Sequence, residues 1–299
     1  MKIKFYFLLL IIITLSGCGG FTNQGEITSS KNFGKNTFIP TIKPLIESQE
    51  GIEKESIEES HNEDDPMQLN EDQLQWQGPG EVFVPILLYH HILNHEAENI
   101  YTVTVTDFRK QMNYLIENGF TSITTKELVN AILEGGNLPQ KPVIITFDDG
   151  NENIYLHAFP IMEELGLTGT LYLISNRLTA SGFLSVDKLN EMIIKGWEVG
   201  SHGNTHVDLV AQPDTLRTEI GDSKKKLEES LNTEIASFAY PYGKANSLTK
   251  DWVKRIGYSS AMGLGISNFH NENEIWYLSR RQVDSNTTLV DFIQLLSHN

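Results

Sequence analysis

Residues 81–299 are predicted to form a barrel-like α/β domain built on parallel strands. Three observations carry this expectation. Short apolar runs alternate with helical patterns, several of the runs are apolar without alternation, and no repeat of solenoid period is visible. Runs such as Val143-Ile144-Ile145 suit strands of a parallel sheet that is covered on both faces.

The elements follow in order. Residues 82–89 make a β-rich apolar run ending in Tyr89. Thr106 is expected to cap a helix in which Phe108, Met112, Leu115 and Ile116 share one face, and a second helix is expected over 125–133. Residues 143–147 form a short strand that runs into Asp148-Asp149-Gly150. After it come a helix over 155–165, a strand over 170–174, a helix over 186–194 and a strand over 197–200. A long polar helix over 215–231, a strand over 235–240, a helix over 248–256, a strand near Tyr258 and a final helix from Thr288 complete the pattern. In such a barrel, chemistry gathers in the loops that follow the strands.

The part before residue 81 has a different texture. Lys2 and Lys4 precede an apolar run from Phe5 to Leu15, a secretory signal too short to span a bilayer comfortably. It ends in Leu15-Ser16-Gly17-Cys18, which resembles a bacterial lipobox; the alternative is an ordinary cleaved signal with an incidental cysteine. The expected order is a signal peptide over 1–17, a lipid-anchored acidic linker over 18–80 and the catalytic domain over 81–299. From Gly19 to Gly80 the chain carries twelve acidic residues against four basic ones and no sustained hydrophobic period, so it is read as a disordered, solvated tether. The whole chain has a formal charge of −16, which argues against a nucleic-acid partner. Cys18 is the single cysteine, so any metal must be held by His, Asp or Glu.

Three segments carry chemistry, each after a strand. Thr146-Phe147-Asp148-Asp149-Gly150 places two carboxylates at a strand end, where neighbouring side chains diverge. One can bind a metal while the other acts on a water; alternatively both are turn formers before Gly150. Ser201-His202-Gly203-Asn204-Thr205-His206 offers two imidazoles that a coiled loop can aim at one ion, or else two surface histidines. Phe238-Ala239-Tyr240-Pro241-Tyr242-Gly243 is an aromatic turn stiffened by proline.

Taken together, T-F-D-D-G, S-H-G-N-T-H and F-A-Y-P-Y-G resemble the motifs of the polysaccharide deacetylases, the NodB-homology carbohydrate esterases. The resemblance implies a distorted (β/α) barrel with fewer than eight strands. It implies one divalent metal, zinc by default with Co2+, Ni2+, Mn2+ or Fe2+ admitted, on Asp149, His202 and His206. It also implies Asp148 as general base. Ala239 stands where many members have an arginine that orients this base. Leu88-Tyr89-His90-His91 resembles the subgroup acting on biofilm poly-N-acetylglucosamine, which implies His90 as the acid, with His91 read as a packed or solvent histidine. Arg280, in Arg280-Arg281-Gln282-Val283, is expected to replace the absent arginine, and the backbone N–H of Tyr242 to face the oxyanion.

The expected activity is metal-assisted N-deacetylation of poly-N-acetylglucosamine or peptidoglycan outside the cytoplasm, at the bacterial cell surface. The membrane is reached through the lipid on Cys18, and no protein partner is expected. The rivals are O-acetyl ester cleavage on a xylan-type glycan and a surface lipoprotein that binds glycan without turnover.

Overall fold

The computed structural model describes residues 74–95 and 99–297. The expectations for the signal, Cys18 and most of the tether lie outside the described residues.

Seven parallel strands form one curled sheet. In spatial order they are Ser260–Met262, Ser237–Ala239, Glu198–Ser201, Thr170–Leu173, Pro142–Asp149, Ile86–Tyr89 and Arg281–Gln282. The short strand Thr121–Ser122 adds alongside the start of Pro142–Asp149. The sheet follows chain order until its last step, where Arg281–Gln282 pairs with Ile86–Tyr89 at the other edge. Backbone bonds from Gly263 to Leu278 O and from Gly265 to Arg280 O draw the two edges together. The outcome is a distorted parallel barrel with fewer than eight strands, as the sequence implied.

Side-chain alternation sorts the strands into two cores. Leu87, Tyr89, Val143, Ile145, Phe147, Leu171 and Leu173 face the helices. Ile86, Ile144, Tyr172, Ala239 and Met262 fill the interior of the curl. Residues two places further along share the inward parity, so Thr146, Asp148, His90 and His202 stand above this inner core. The same period that buries isoleucine at the base therefore delivers polar groups to the rim.

Most elements fall within a residue or two of expectation, and Thr125–Leu133 and Val186–Ile194 coincide with it. Thr106 is not a cap. The helix Val105–Glu117 is capped by Thr104, whose hydroxyl accepts from the Asp107 N–H and donates to the Asp107 carboxylate. That reciprocal bonding places the start two residues earlier. The expected helices over 155–165 and 215–231 each open with a wide turn, over Ile154–Ala158 and Arg217–Asp222. Order also begins before residue 81. Leu74–Gln77 pairs antiparallel with Gly136–Pro139, and the Trp76 ring lies against Gly135, where a Cβ would come within 2.7 Å of it.

Candidate active site

The inward parity and the loops beyond it converge on one cleft, lined by His90, His91, Asp148, Asp149, His202, His206, Tyr242 and Arg280 among others. All seven residues assigned from the sequence thus meet in one place.

Asp148 and Asp149 separate because the chain turns between them. Asp148 keeps extended geometry and points into the barrel, whereas Asp149 has φ 74° and leads into Gly150 at φ 80°. At Gly150 a Cβ would approach Leu173 Cδ2 to 2.8 Å, so the turn needs glycine on both counts. Five non-glycine residues have positive φ among the described residues, and three of them, Asp149, His206 and Tyr242, line this cleft. Such backbone conformations cost on the order of 1–3 kcal/mol each and persist where the surroundings enforce them.

Asp148 is almost fully buried and meets Arg280 in a bidentate pair, Nη1 to Oδ1 and Nη2 to Oδ2, both at 2.7 Å. Arg280 is itself 1% exposed; its remaining donors reach Thr146 Oγ1 and Gly263 O, and its guanidinium lies over the Tyr172 ring. Burial alone would raise the Asp148 pKa. The Arg280 guanidinium, and next His202, outweigh that and hold the carboxyl well below the usual carboxylate range. Arginine therefore does reach this carboxylate, from the residue just before the strand Arg281–Gln282 rather than from the position of Ala239. Ala239 instead supplies its carbonyl, which accepts from His202 Nδ1 at 2.8 Å.

That bond fixes the tautomer of His202. With Nδ1–H committed to a carbonyl, Nε2 faces both carboxylates, 3.6 Å from Asp148 Oδ2 and 3.9 Å from Asp149 Oδ1. His206 Nε2 lies 3.6 Å from the same oxygen. Asp149 Oδ1 is buried and has no hydrogen-bond partner. A cation placed among them would give that oxygen and both imidazole nitrogens a common partner. The ligand atoms of Asp149, His202 and His206 lie within 4.8 Å of one another, so these residues fit a divalent ion. Burial, with His202 nearby, lowers the His206 pKa against the pull of Asp149 and favours its ligand-competent neutral form.

The loop that carries the two histidines is held by a residue the sequence reading missed. Glu219 is 3% exposed; its Oε2 accepts from the Asn204 and Thr205 N–H groups, both at 2.9 Å, and its Oε1 accepts from the Thr205 hydroxyl at 2.5 Å. A buried glutamate in a polar helical stretch carries no local signal in the sequence.

His90 stands across the cleft from this cluster. Burial lowers its pKa while Asp148 and Asp149 pull it back up, its Nδ1 is buried without a partner, and its ring lies 4.9 Å from that of Tyr101. Tyr242 is 57% exposed; its ring packs edge-on to His206 at 4.6 Å and its hydroxyl donates to His206 O. Gly243, at φ 65°, has no room for a Cβ, which would lie 2.4 Å from Leu264 Cγ. An ionised carboxylate, a group of ligand atoms that fits a cation and an imidazole thus surround one cleft.

Comparison with known proteins points to one family. Residues 135–261 match the polysaccharide deacetylase family. Over that stretch, less than half of the chain, the protein carries a polysaccharide deacetylase domain, consistent with a hydrolase acting on amides. Among its relatives is a putative polysaccharide deacetylase of Bacillus subtilis, YxkH, 28% identical over 70% of this chain and 72% of the relative. Another is a poly-beta-1,6-N-acetyl-D-glucosamine N-deacetylase of Staphylococcus epidermidis, 29% identical over 52% of this chain and 59% of the relative. A solved structure of the Streptococcus pyogenes deacetylase PplD in complex with acetate superposes with TM-score 0.66 and 25% identity, over 72% of this chain and 99% of that one.

Proposed function

We propose that this polysaccharide deacetylase removes N-acetyl groups from a poly-N-acetylglucosamine polymer at the cell surface, using one divalent cation held by Asp149, His202 and His206. The single observation that carries the reading is the Arg280–Asp148 pair set beside the Asp149–His202–His206 cradle, with His90 facing both. The substrate class is supported by the staphylococcal relative, whose name gives that polymer.

A divalent ion in the cradle, zinc in the first instance, supplies Lewis acidity toward a water and the acetyl carbonyl. Asp148 stays ionised at working pH and takes the proton that the attacking water gives up. Arg280 holds both of its oxygens in register and keeps the carboxylate from rotating away. The new C–O bond pushes charge onto the carbonyl oxygen, and the backbone N–H of Tyr242, a residue lining the cleft, is assigned to donate to it. His90 then donates a proton to the departing nitrogen as the C–N bond breaks, since an amine leaves poorly as its anion. The products are acetate and a free glucosamine residue. A lipid on Cys18 and the acidic stretch behind it would keep the domain near the membrane while it reaches outward for polymer.

The test is acetate release from poly-N-acetylglucosamine and from peptidoglycan, with and without chelator and with metal added back. Release from the first that stops with chelator is the expected result. Release from peptidoglycan alone, or only from O-acetylated xylan, overturns the substrate assignment. Release that ignores the chelator overturns the metal. An intact mass of the native protein reads the lipid directly.

A further inference from the structure

His91 follows the residue assigned as the acid, lines the same cleft and is only half-buried. It is not a packed core histidine, because its ring is held by a specific polar partner. Asn153 lies 61 residues away from Ile92 in the chain, and its Oδ1 accepts from the Ile92 backbone N–H at 3.0 Å. A backbone N–H can only donate, so the amide orientation is settled: the oxygen faces Ile92 and the NH2 faces His91. Asn153 Nδ2 is 3.0 Å from His91 Nδ1. An amide NH2 is likewise only a donor, so Nδ1 must be the acceptor and carries no proton. The neutral ring therefore holds its proton on Nε2.

We propose that His91 is a substrate-binding residue whose tautomer is fixed by Asn153, so that it presents an Nε2–H donor to a hydroxyl oxygen of the bound sugar polymer. The arrangement suits binding better than proton transfer. Nδ1 is occupied by Asn153 and Nε2 already has its proton, so neither nitrogen is free to act as a base. Protonating Nδ1 would set two donors against each other, which keeps the ring neutral and its donor constant across the working pH range. The segment from Asp149 to Asn153 does two jobs as a result: it carries a cradle ligand at one end and aims a recognition group at the other. Asn151 joins in the same sewing, with its amide 3.5 Å from His90 O. A sugar recognised by His91 would thus be registered against the reacting centre by a single short stretch of chain.

This inference rests on the glycan reading above, and its test separates the two. The full chain, loaded with zinc, is assayed on a soluble N-acetylglucosamine oligomer as wild type, His91→Ala, His91→Gln and Asn153→Ala. The expected effect of His91→Ala is a KM raised about tenfold with kcat changed less than about threefold, the scale of one lost neutral hydrogen bond. Glutamine places an NH2 donor where Nε2 stood, so His91→Gln should return KM to within about threefold of wild type. Asn153→Ala should raise KM in the same direction. A fall in kcat at constant KM, an unchanged KM in His91→Ala, or no rescue by glutamine overturns the proposal. Nitrogen NMR of His91 reads the tautomer without any substrate. Wild type should show a bare Nδ1 and a protonated Nε2, and Asn153→Ala a mixture; a mixture in wild type overturns the lock. If wild type itself releases no acetate from the oligomer, the glycan reading fails, and the NMR result still decides the tautomer.

Discussion

Arg280 and Asp148 lie 132 positions apart in the chain, yet they meet through two hydrogen bonds of 2.7 Å inside the barrel. The pair is buried on both sides, so neither charge can fall back on water if the other is removed. Removing one partner of a buried pair costs about 3–5 kcal/mol. Arg280→Met should therefore lower unfolding free energy by that amount and abolish turnover. Arg280→Lys should keep the charge, recover part of the stability and still lose most activity, because an ammonium cannot engage both oxygens. Denaturant unfolding alongside acetate release checks both; a Lys variant with near-normal turnover would show that orientation of Asp148 is not what Arg280 contributes.

The two neighbouring carboxylates should separate cleanly in their effects. Asp148→Asn is expected to keep its metal, since Asp148 lies outside the cradle, while turnover falls by at least about 100-fold, the scale set by loss of a general base. His202→Ala should lose metal and turnover together. Metal content after dialysis, measured beside acetate release, distinguishes the two; metal lost from Asp148→Asn would put that residue among the ligands.

Glu219 should behave as a support of the cradle. Glu219→Gln keeps the shape but replaces one acceptor oxygen by an NH2 that faces donors on Asn204 and Thr205. Supporting residues of this kind are worth roughly 10–100-fold in metal affinity. Competition of the folded variant against a chelating dye reads that loss directly, and unchanged affinity would reduce Glu219 to a packing role.

His270 sets an acid limb for stability. It is fully buried, its Nε2–H donates to Val84 O, and burial lowers its pKa from 6.5 to about 4. The unfolded chain takes up a proton near pH 6.5, whereas the folded chain refuses it until about pH 4. Stability is thus fully present above pH 6.5 and is lost as pH falls through that window, by about 3 kcal/mol in all. His270→Gln retains a donor for Val84 but cannot be protonated. Its unfolding midpoint should fall less between pH 6.5 and 4 than that of wild type, and parallel curves would remove His270 from the account.

Much of the cleft was legible because its chemistry sits in short runs next to strands. Asp148, Asp149, His202 and His206 announce themselves by residue type and by the apolar run before them, and parity places them. Arg280 was reachable only through its resemblance to a late motif. Nothing local says that one of two adjacent arginines turns inward and crosses the barrel. Glu219 and Asn153 were not legible at all. Each acts on a loop distant in sequence, and a glutamate or asparagine in a polar stretch looks the same whether it is solvated or clamps a backbone. Thr104 was missed for a simpler reason, since Thr104 and Thr106 are equally good caps until Asp107 chooses between them.

The place of Arg280 in the chain order has a temporal consequence. Ribosomal synthesis delivers the DDG strand long before the segment 278–283, so Asp148 waits in an unfinished curl with no counter-charge. A half-made chain cannot comfortably shut its own interior, and so it cannot hydrolyse anything before that segment has been added. Trimming a few dozen residues from the far end would silence the enzyme as thoroughly as replacing Asp148 itself. Activity is in this sense a receipt issued only when the last strand has arrived.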